Sequence, residues 1–154
     1  MLAAVDHVQL AAPPGSEPQL RAYYTDVLGM TELPKPPALA ARGGCWFRAG
    51  AVELHLGIEP GFRPALKAHP GLRVRDIEAY AERLASRGAD VEWDDALPGR
   101  RRFYSSDPVG NRLEFLEAVA HTAKAPAPSG RARRGTGAFG RNVSQCFADR
   151  PPRR

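Results

Sequence analysis

Residues 107–117, DPVGNRLEFLE, contain the pattern that decides the fold of this chain. The first four residues, Asp-Pro-Val-Gly, are typical of a tight turn, and the residues that follow alternate between apolar and polar side chains. This alternation predicts a strand over residues 112–117 with its glutamate on the face opposite Leu113 and Phe115. A carboxylate within an apolar strand is costly to desolvate unless it is paired or bound to a cation, so Glu114 is a candidate metal ligand.

A similar strand is predicted earlier in the chain, in the sequence AVELHLG, where alternation puts Glu53 and His55 on one face. Each of the two strands follows a histidine at a nearly constant interval. Glu53 follows His7 by 46 residues, and Glu114 follows His69 by 45. We interpret this spacing as an internal repeat in which each unit has a histidine at its first strand and a glutamate on its last.

The residues between these positions predict the same order of elements twice: strand, helix and three strands. The first helix is predicted to open with a capping box of Ser16 and Gln19 and to end at Gly29. The second is predicted between Asp76, as the N-cap, and Gly88. The predicted strands are residues 5–10, 31–33, 45–49, 52–57, 71–74, 91–94, 101–105 and 112–117.

The predicted folded domain is residues 1–118, because the composition changes beyond it. Residues 119–154 are rich in Ala, Pro, Gly, Ser and Arg and have few apolar positions, so we predict a disordered basic tail. The tail has eight basic residues and one acidic residue, whereas residues 1–118 have 14 basic and 16 acidic residues. The net charge of +5 therefore comes from the tail, and the domain itself gives no reason to expect a nucleic-acid partner.

The sequence also bears on compartment and membrane. No apolar run reaches the ~18 to 20 residues that a transmembrane helix needs. The beginning of the chain, MLAAVDHVQL, lacks the basic region of a signal peptide. Two cysteines, Cys45 and Cys146, do not make a disulfide framework. We therefore expect a cytoplasmic protein with free thiols and no membrane partner.

Two imidazoles and one or two carboxylates that converge across a curved sheet would suit Zn, Fe(II), Mn, Ni or Co. A single histidine or glutamate in a strand is more often a structural or solvent-facing residue. The repeat favours the metal site, because matched positions in two units are hard to obtain by accident.

The sequences DHVQL, YYTDVLGMTEL, AVELHLG, HPGLRVRDIEAYAERL and DPVGNRLEFLE resemble the vicinal oxygen chelate superfamily. That superfamily includes glyoxalase I, extradiol dioxygenases, methylmalonyl-CoA epimerase, and fosfomycin and bleomycin resistance proteins. The resemblance covers residues 4–117. It implies an α+β fold in which two βαβββ modules, residues 4–57 and 68–117, form a curved mixed-sheet cup around one divalent metal ion.

The resemblance also implies a ligand set. His7, His69 and Glu114 correspond to the three metal ligands that the family shares, and Glu53 matches the fourth ligand of glyoxalase I and the epimerase. A loosely bound Glu53 would also be the catalytic base; the alternative is a permanent ligand or a surface residue. His55, on the same strand face, competes for the fourth position or contacts the substrate.

The implied function is a glyoxalase-like lyase or isomerase that acts on a small molecule chelated through neighbouring oxygens. Arg102 and Tyr104 are candidate substrate-binding residues. The alternatives are an extradiol-type dioxygenase and a drug- or metabolite-binding resistance protein without turnover. Fosfomycin thiol transferases have a threonine where this chain has Gln9, which argues against that branch.

The resemblance further implies a homodimer in which two chains exchange modules. The predicted linker, residues 58–67, contains Pro60, Gly61 and Pro64. Two prolines make this segment stiff and extended, so it can carry the second module away from the first. The other reading is that ten residues are enough to fold back, so that each chain builds its own site.

Overall fold

The computed structural model describes residues 1–118, so the prediction made for residues 119–154 lies outside the described residues. The first module contains β1 (Val8–Ala12), α1 (Glu17–Ala22) with a π-helical continuation (Tyr23–Val27), β2 (Thr31–Leu33), α2 (Pro37–Ala40), β3 (Cys45–Ala49) and β4 (Val52–Ile58). The second contains β5 (Gly71–Val74), α3 (Ile77–Ser86), β6 (Glu92–Trp93), β7 (Arg102–Ser106) and β8 (Arg112–Glu117). None of the helices in residues 1–118 is long and apolar enough to cross a bilayer.

The two modules form sheets of identical topology. The strand order is β1-β4-β3-β2 in the first sheet and β5-β8-β7-β6 in the second. In each sheet the first and last strands of the module pair in parallel, and the remaining pairs are antiparallel. The predicted α+β fold of two βαβββ modules with mixed sheets is therefore confirmed.

A single hydrophobic core lies between the helices and one face of each sheet. Its buried strand residues are Ala12, Cys45, Phe47, Leu54, Leu56, Phe103, Leu113 and Phe115. Because strand side chains alternate, the polar residues between these positions project from the other face. We call these surfaces the open faces. That of the first module includes Gln9, Trp46, Glu53 and His55, and that of the second includes Gly71, Arg102, Tyr104 and Glu114.

Helix α3 follows its sequence signals. The side chain of Asp76 accepts a hydrogen bond from the backbone N–H of Ala79 at 3.0 Å, which confirms the predicted N-cap. Ile77, Ala81 and Leu84 recur at helical spacing, and all three are buried in the core.

Helix α1 departs from its predicted start. The predicted capping box is wrong, because the Ser16 hydroxyl donates to the carbonyl of Pro13 at 2.7 Å and makes no cap hydrogen bond. A serine hydroxyl can donate a hydrogen bond to a nearby backbone carbonyl, and here this local hydrogen bond forms instead of the N-cap hydrogen bond. Helix α2 was not predicted, since its four residues are too few to show periodicity.

Strand β1 begins at Val8, three residues later than predicted, and β6 has only two residues. His7 therefore stands just before a strand rather than inside it, and His69 stands two residues before β5. Both histidines are thus at the entrance of the first strand of their module.

The turn between β7 and β8 joins the two modules. The Tyr24 hydroxyl donates to Asp107 at 3.1 Å, and the Asn111 amide donates to the carbonyl of Ala11 at 2.9 Å. Both partners in the turn are buried, and Asp107 also accepts from the Asn111 amide. Burial raises the pKa of Asp107 despite these donors. The segment that identified the strand in the sequence therefore also makes one of the contacts that hold the two modules together.

Candidate metal centre

The second half-site consists of His69, Arg102, Tyr104 and Glu114. The ring of His69 donates through Nδ1 to the carbonyl of Lys67 at 2.8 Å. A carbonyl can only accept, so Nδ1 carries a proton, and in the neutral ring the lone pair is then on Nε2. Nε2 lies 3.4 Å from Oε2 of Glu114.

Two neighbours fix the orientation of the Glu114 carboxylate, which is 8% exposed. Arg102 donates through Nη1 to Oε1 at 2.7 Å, and the Tyr104 hydroxyl approaches the same oxygen at 3.4 Å. Arg102 is itself held by Asp94 at 2.9 Å. The other oxygen, Oε2, is thereby left on the side of His69. Gly71, paired with Glu114 in the sheet, keeps this space open, since a Cβ there would lie 3.2 Å from Oε2.

The first half-site consists of His7, Trp46, Arg48, Glu53 and His55. The ring of His55 is stacked between two others, with Trp46 at 4.1 Å and 7° and His7 at 4.1 Å and 18°. His55 is buried, whereas the side chain of His7 is 40% exposed and donates through Nδ1 to Asp6 at 2.8 Å. The ring stack therefore holds His55 firmly and His7 at the edge.

Glu53 lies between two donors. His55 donates through Nε2 to Oε1 at 2.8 Å, and Arg48 donates through Nε to Oε2 at 2.9 Å. The hydrogen bond from His55, followed by that from Arg48, holds the pKa of Glu53 below its ordinary value. Glu53 is therefore ionised at neutral pH, and each of its oxygens already accepts a hydrogen bond.

The strand register shows which positions of the two half-sites correspond. Gln9 pairs with His55 across β1 and β4, and Gly71 pairs with Glu114 across β5 and β8. His7 and His69 each precede that first-strand residue by two positions. The counterpart of Glu114 in the first module is therefore His55, and not Glu53 as the sequence spacing suggested.

In the described part of the chain, the two half-sites do not meet. His69 lies beside Glu114, and His7 and Glu53 both contact His55. Within residues 1–118, however, no three His, Cys, Asp or Glu side chains are grouped so that they could hold one metal ion. The structure thus brings the predicted residues together as two separate groups.

Sequence reasoning missed the stacking partner of His55 and the anchor of Arg102. The stacking partner could have been predicted from the sequence. A two-residue turn joins β3 and β4 and pairs Ala49 with Val52, and the same antiparallel register pairs Trp46 with His55. The anchor could not, because Asp94 meets Arg102 only through the pairing of the short strand β6 with β7.

Each open face carries a cavity. One, of about 280 Å³, lies beside Tyr104 and Arg112 and includes the acidic residues Asp90 and Glu92. The other, of about 200 Å³, lies beside Gln9 and Trp46 and has no acidic residue in its lining. Both cavities adjoin a half-site residue, so each is placed to receive part of a small molecule.

Comparison with known proteins agrees with this architecture. Residues 5–115 match the family model described as Glyoxalase/Bleomycin resistance protein/Dioxygenase superfamily. A glyoxalase family protein from Bacillus anthracis is 47% identical, with a TM-score of 0.75 over 77% of this chain and 98% of that chain. No curated protein sequence matches the chain.

Two more distant structures share the fold. The fosfomycin resistance protein FosX from Listeria monocytogenes is 13% identical, with a TM-score of 0.63 over 78% of this chain and 97% of that chain. A variant of that protein has been crystallised with Mn(II) and a dihydroxypropylphosphonic acid. Lactoylglutathione lyase from Agrobacterium tumefaciens is 21% identical, with a TM-score of 0.57 over 76% of this chain and 95% of that chain.

Proposed function

The chain belongs to the Glyoxalase/Bleomycin resistance protein/Dioxygenase superfamily, and from this premise we propose that it is a divalent-metal-dependent lyase or isomerase. Its substrate is a small molecule that presents two neighbouring oxygen atoms. The proposed metal ligands are His7, His69 and Glu114, with the fourth donor supplied by Glu53 or His55.

The arrangement of His69 and Glu114 carries this proposal. The Nε2 atom of His69 and the Oε2 atom of Glu114 lie 3.4 Å apart, a distance longer than a good hydrogen bond. Each donor is oriented by a further bond, from His69 to the Lys67 carbonyl and from Arg102 to the other carboxylate oxygen. Metal-binding histidines commonly donate their second ring nitrogen to such a carbonyl. The donor set of two imidazoles and a carboxylate suits Zn, Ni, Fe, Mn or Co.

The fourth donor distinguishes two versions of the site. Glu53 has the chemistry of the fourth ligand in glyoxalase-type sites, but its oxygens accept from His55 and Arg48. His55 lies at the position in the sheet that corresponds to Glu114, and its Nδ1 is not hydrogen-bonded to Glu53. The register favours His55, with Glu53 holding the ring in place.

We propose that two chains share the site, so that the first half-site of one chain faces the second half-site of the other. The separation of the half-sites within residues 1–118 supports this arrangement. Buried hydrogen bonds from Tyr24 to Asp107 and from Asn111 to Ala11 hold the two modules of one chain in their present arrangement. A homodimer could join the half-sites and keep that arrangement.

When bound, the divalent ion would supply Lewis acidity to the two substrate oxygens. Glu53 is the proposed base, because it is ionised at neutral pH and can take a proton when the substrate displaces one of its donors. In an isomerisation Glu53 would return that proton to the neighbouring atom of the substrate, and the ionised carboxylate would then accept from His55 again. Arg102 and Tyr104 hold Oε1 of Glu114 and present their remaining polar surface to the substrate.

Metal content and turnover test the proposal. Purified protein, treated with a chelator and titrated with Zn, Ni, Mn, Co and Fe(II), should bind about one ion per chain. Two matched variants separate the candidates for the fourth ligand: His55→Asn should weaken binding by about tenfold or more, and Glu53→Gln by less, if His55 is the donor. The reverse order would assign the position to Glu53.

The reaction class needs a panel of substrates, each assayed with every metal that binds. A 2-oxoaldehyde–thiol adduct should be converted, a catechol distinguishes the dioxygenase, and fosfomycin distinguishes the resistance enzyme. Glu53→Gln should reduce turnover by about 100-fold or more while metal remains bound, as expected for loss of a base. Tight binding of one of these compounds with no turnover would instead establish a binding protein.

A further inference from the structure

Among the described residues, the cavity on the open face of the first module is lined by two cationic residues and by no acidic residue. It lies between β1, β4 and the segment that contains α2, and its polar and aromatic lining includes Gln9, Lys35, Arg42 and Trp46. Lys35 and Arg42 are its charged residues. Among residues 1–118 neither of them forms a salt bridge.

The two cations keep most of their hydrogen-bonding capacity. Lys35 donates to the carbonyl of Gly43, which uses one of its three N–H groups. Glu17 contacts the same segment through the backbone N–H of Gly44 at 3.1 Å, but it does not line the cavity. In the part of the chain that the structure describes, no carboxylate lines the cavity beside these two cations, so an anion there would gain charge-assisted hydrogen bonds from both.

An aromatic surface connects this cavity to the first half-site. Lys35 lies 5.9 Å from the centre of the Trp46 ring, and the same indole stacks on His55 at 4.1 Å. A molecule that fills the cavity would therefore contact the Trp46 indole, and only this ring would separate it from His55, a proposed metal ligand. Leu39 and Ile58 add apolar surface to the lining.

We propose that this cavity binds an anionic oxygen group, a carboxylate or a phosphate, on a small molecule whose apolar or planar body lies against Trp46. The volume of about 200 Å³ is smaller than the ~300 to 1,000 Å³ typical of sites for whole ligands, so it holds one end of the molecule. The assignment of that molecule as the substrate rests on the proposed function. Binding of the anion itself does not require the metal.

The test uses Trp46 as its own reporter. The chain has two tryptophans, so Trp93→Phe leaves Trp46 as the single indole. The full chain with this substitution is titrated, in chelator and at constant ionic strength, with phenyl phosphate, benzoate and phenol. We expect a saturable change in fluorescence with the two anions, and binding of phenol that is weaker by more than about tenfold, because the charge-assisted hydrogen bonds from both cations are lost.

Matched variants locate the binding. Lys35→Ala and Arg42→Ala should each weaken phenyl phosphate binding by about fivefold to tenfold, and Arg42→Lys should restore most of it. Arg75→Ala removes the same charge from an exposed position that does not line the cavity, and should change nothing. Circular dichroism of each variant verifies folding.

Three results would overturn the inference: no saturation with either anion, equal binding of phenol, or unchanged binding in the Lys35 and Arg42 variants. Because the titration is done without metal, a failure of the metal-site proposal would leave it untouched. If the protein bound the anion but no metal ion, the anion site would be supported and the proposed metal-dependent enzyme would be contradicted.

Discussion

The two open faces have the same backbone and different chemistry. In the second module a carboxylate, Glu114, is held through one oxygen and turned toward His69 with the other. In the first module the corresponding position is an imidazole, His55, and it is packed between two rings. The repeat thus preserves positions relative to the strands but not the type of donor that occupies them.

The two half-sites also differ in how firmly their entrance histidines are held. His69 is 22% exposed and is anchored on a backbone carbonyl. His7 is 40% exposed and is anchored on Asp6, which is itself 96% exposed. A backbone anchor costs little further ordering, whereas an exposed side-chain pair contributes little to stability. The second half-site is therefore prepared for a ligand in one chain, and the first depends more on what approaches it.

The largest expected loss of metal affinity comes from removing a ligand of the second half-site. His69→Ala should lower metal affinity by more than about 100-fold, because loss of a partner that merely orients a ligand already costs ~10- to 100-fold. His7→Ala should have a smaller effect, since its imidazole is less well oriented. Calorimetric titration of chelator-treated protein measures both.

The fourth histidine of the chain, His121, supplies the control, and His121→Ala should bind metal as the native chain does. Undiminished metal content in His69→Ala would remove that residue from the site. Equal losses for His7→Ala and His69→Ala would mean that the difference between the half-sites has no energetic consequence.

The next effect concerns whether the half-sites meet between chains. His7→Ala and Glu114→Ala chains each damage a different half-site, so neither homodimer has an intact site. After equal mixing and exchange, about a quarter of the native sites should return, because half of the dimers are mixed and each has one intact site. Metal binding and turnover report the recovery, and a tag on one chain verifies the exchange. No recovery after verified exchange would show that each chain builds its own site.

The smallest effect concerns the turn that fixes the modules together. Burial, the largest influence, raises the pKa of Asp107, so its stabilising contribution is present below the unfolded value of 3.8 and is lost as pH rises through the folded pKa. The stability of the native chain relative to Asp107→Asn should therefore fall as pH increases from 3.8 toward neutrality. Urea denaturation at several pH values measures this difference.

Tyr24→Phe removes a donor to the same carboxylate and serves as the comparison. It should lower the free energy of unfolding by roughly 1 to 3 kcal/mol, as expected for a buried hydrogen bond to a charged group. A difference between the native chain and Asp107→Asn that does not change with pH would show that Asp107 keeps an ordinary pKa in the folded protein.

Much of the architecture could be predicted from local sequence patterns. Alternation and turn residues predicted β8 with its bounds as observed, and the N-cap at Asp76 followed from a side chain that acts on its own helix. The start of β1 was placed three residues early, because whether residues 5–7 join a strand depends on a partner strand more than 40 residues away. Such pairing is decided by the sheet and not by the segment.

The sequence by itself determined which donors the candidate site has. Histidine and glutamate residues among apolar neighbours can be identified without knowing which residues they contact in the fold. The tertiary structure decided which donors correspond. From His7 to Trp46 is 39 residues, but from His69 to Tyr104 is 35, because the segment with α2 lengthens the first module. The register counterparts are therefore not equally spaced, since from His7 to His55 is 48 residues and from His69 to Glu114 is 45. The near-equal spacing of His7–Glu53 and His69–Glu114 compares positions that the register sets apart. Register is fixed by hydrogen bonds between strands and by burial of one face, and both are properties of the folded sheet rather than of any interval in the chain.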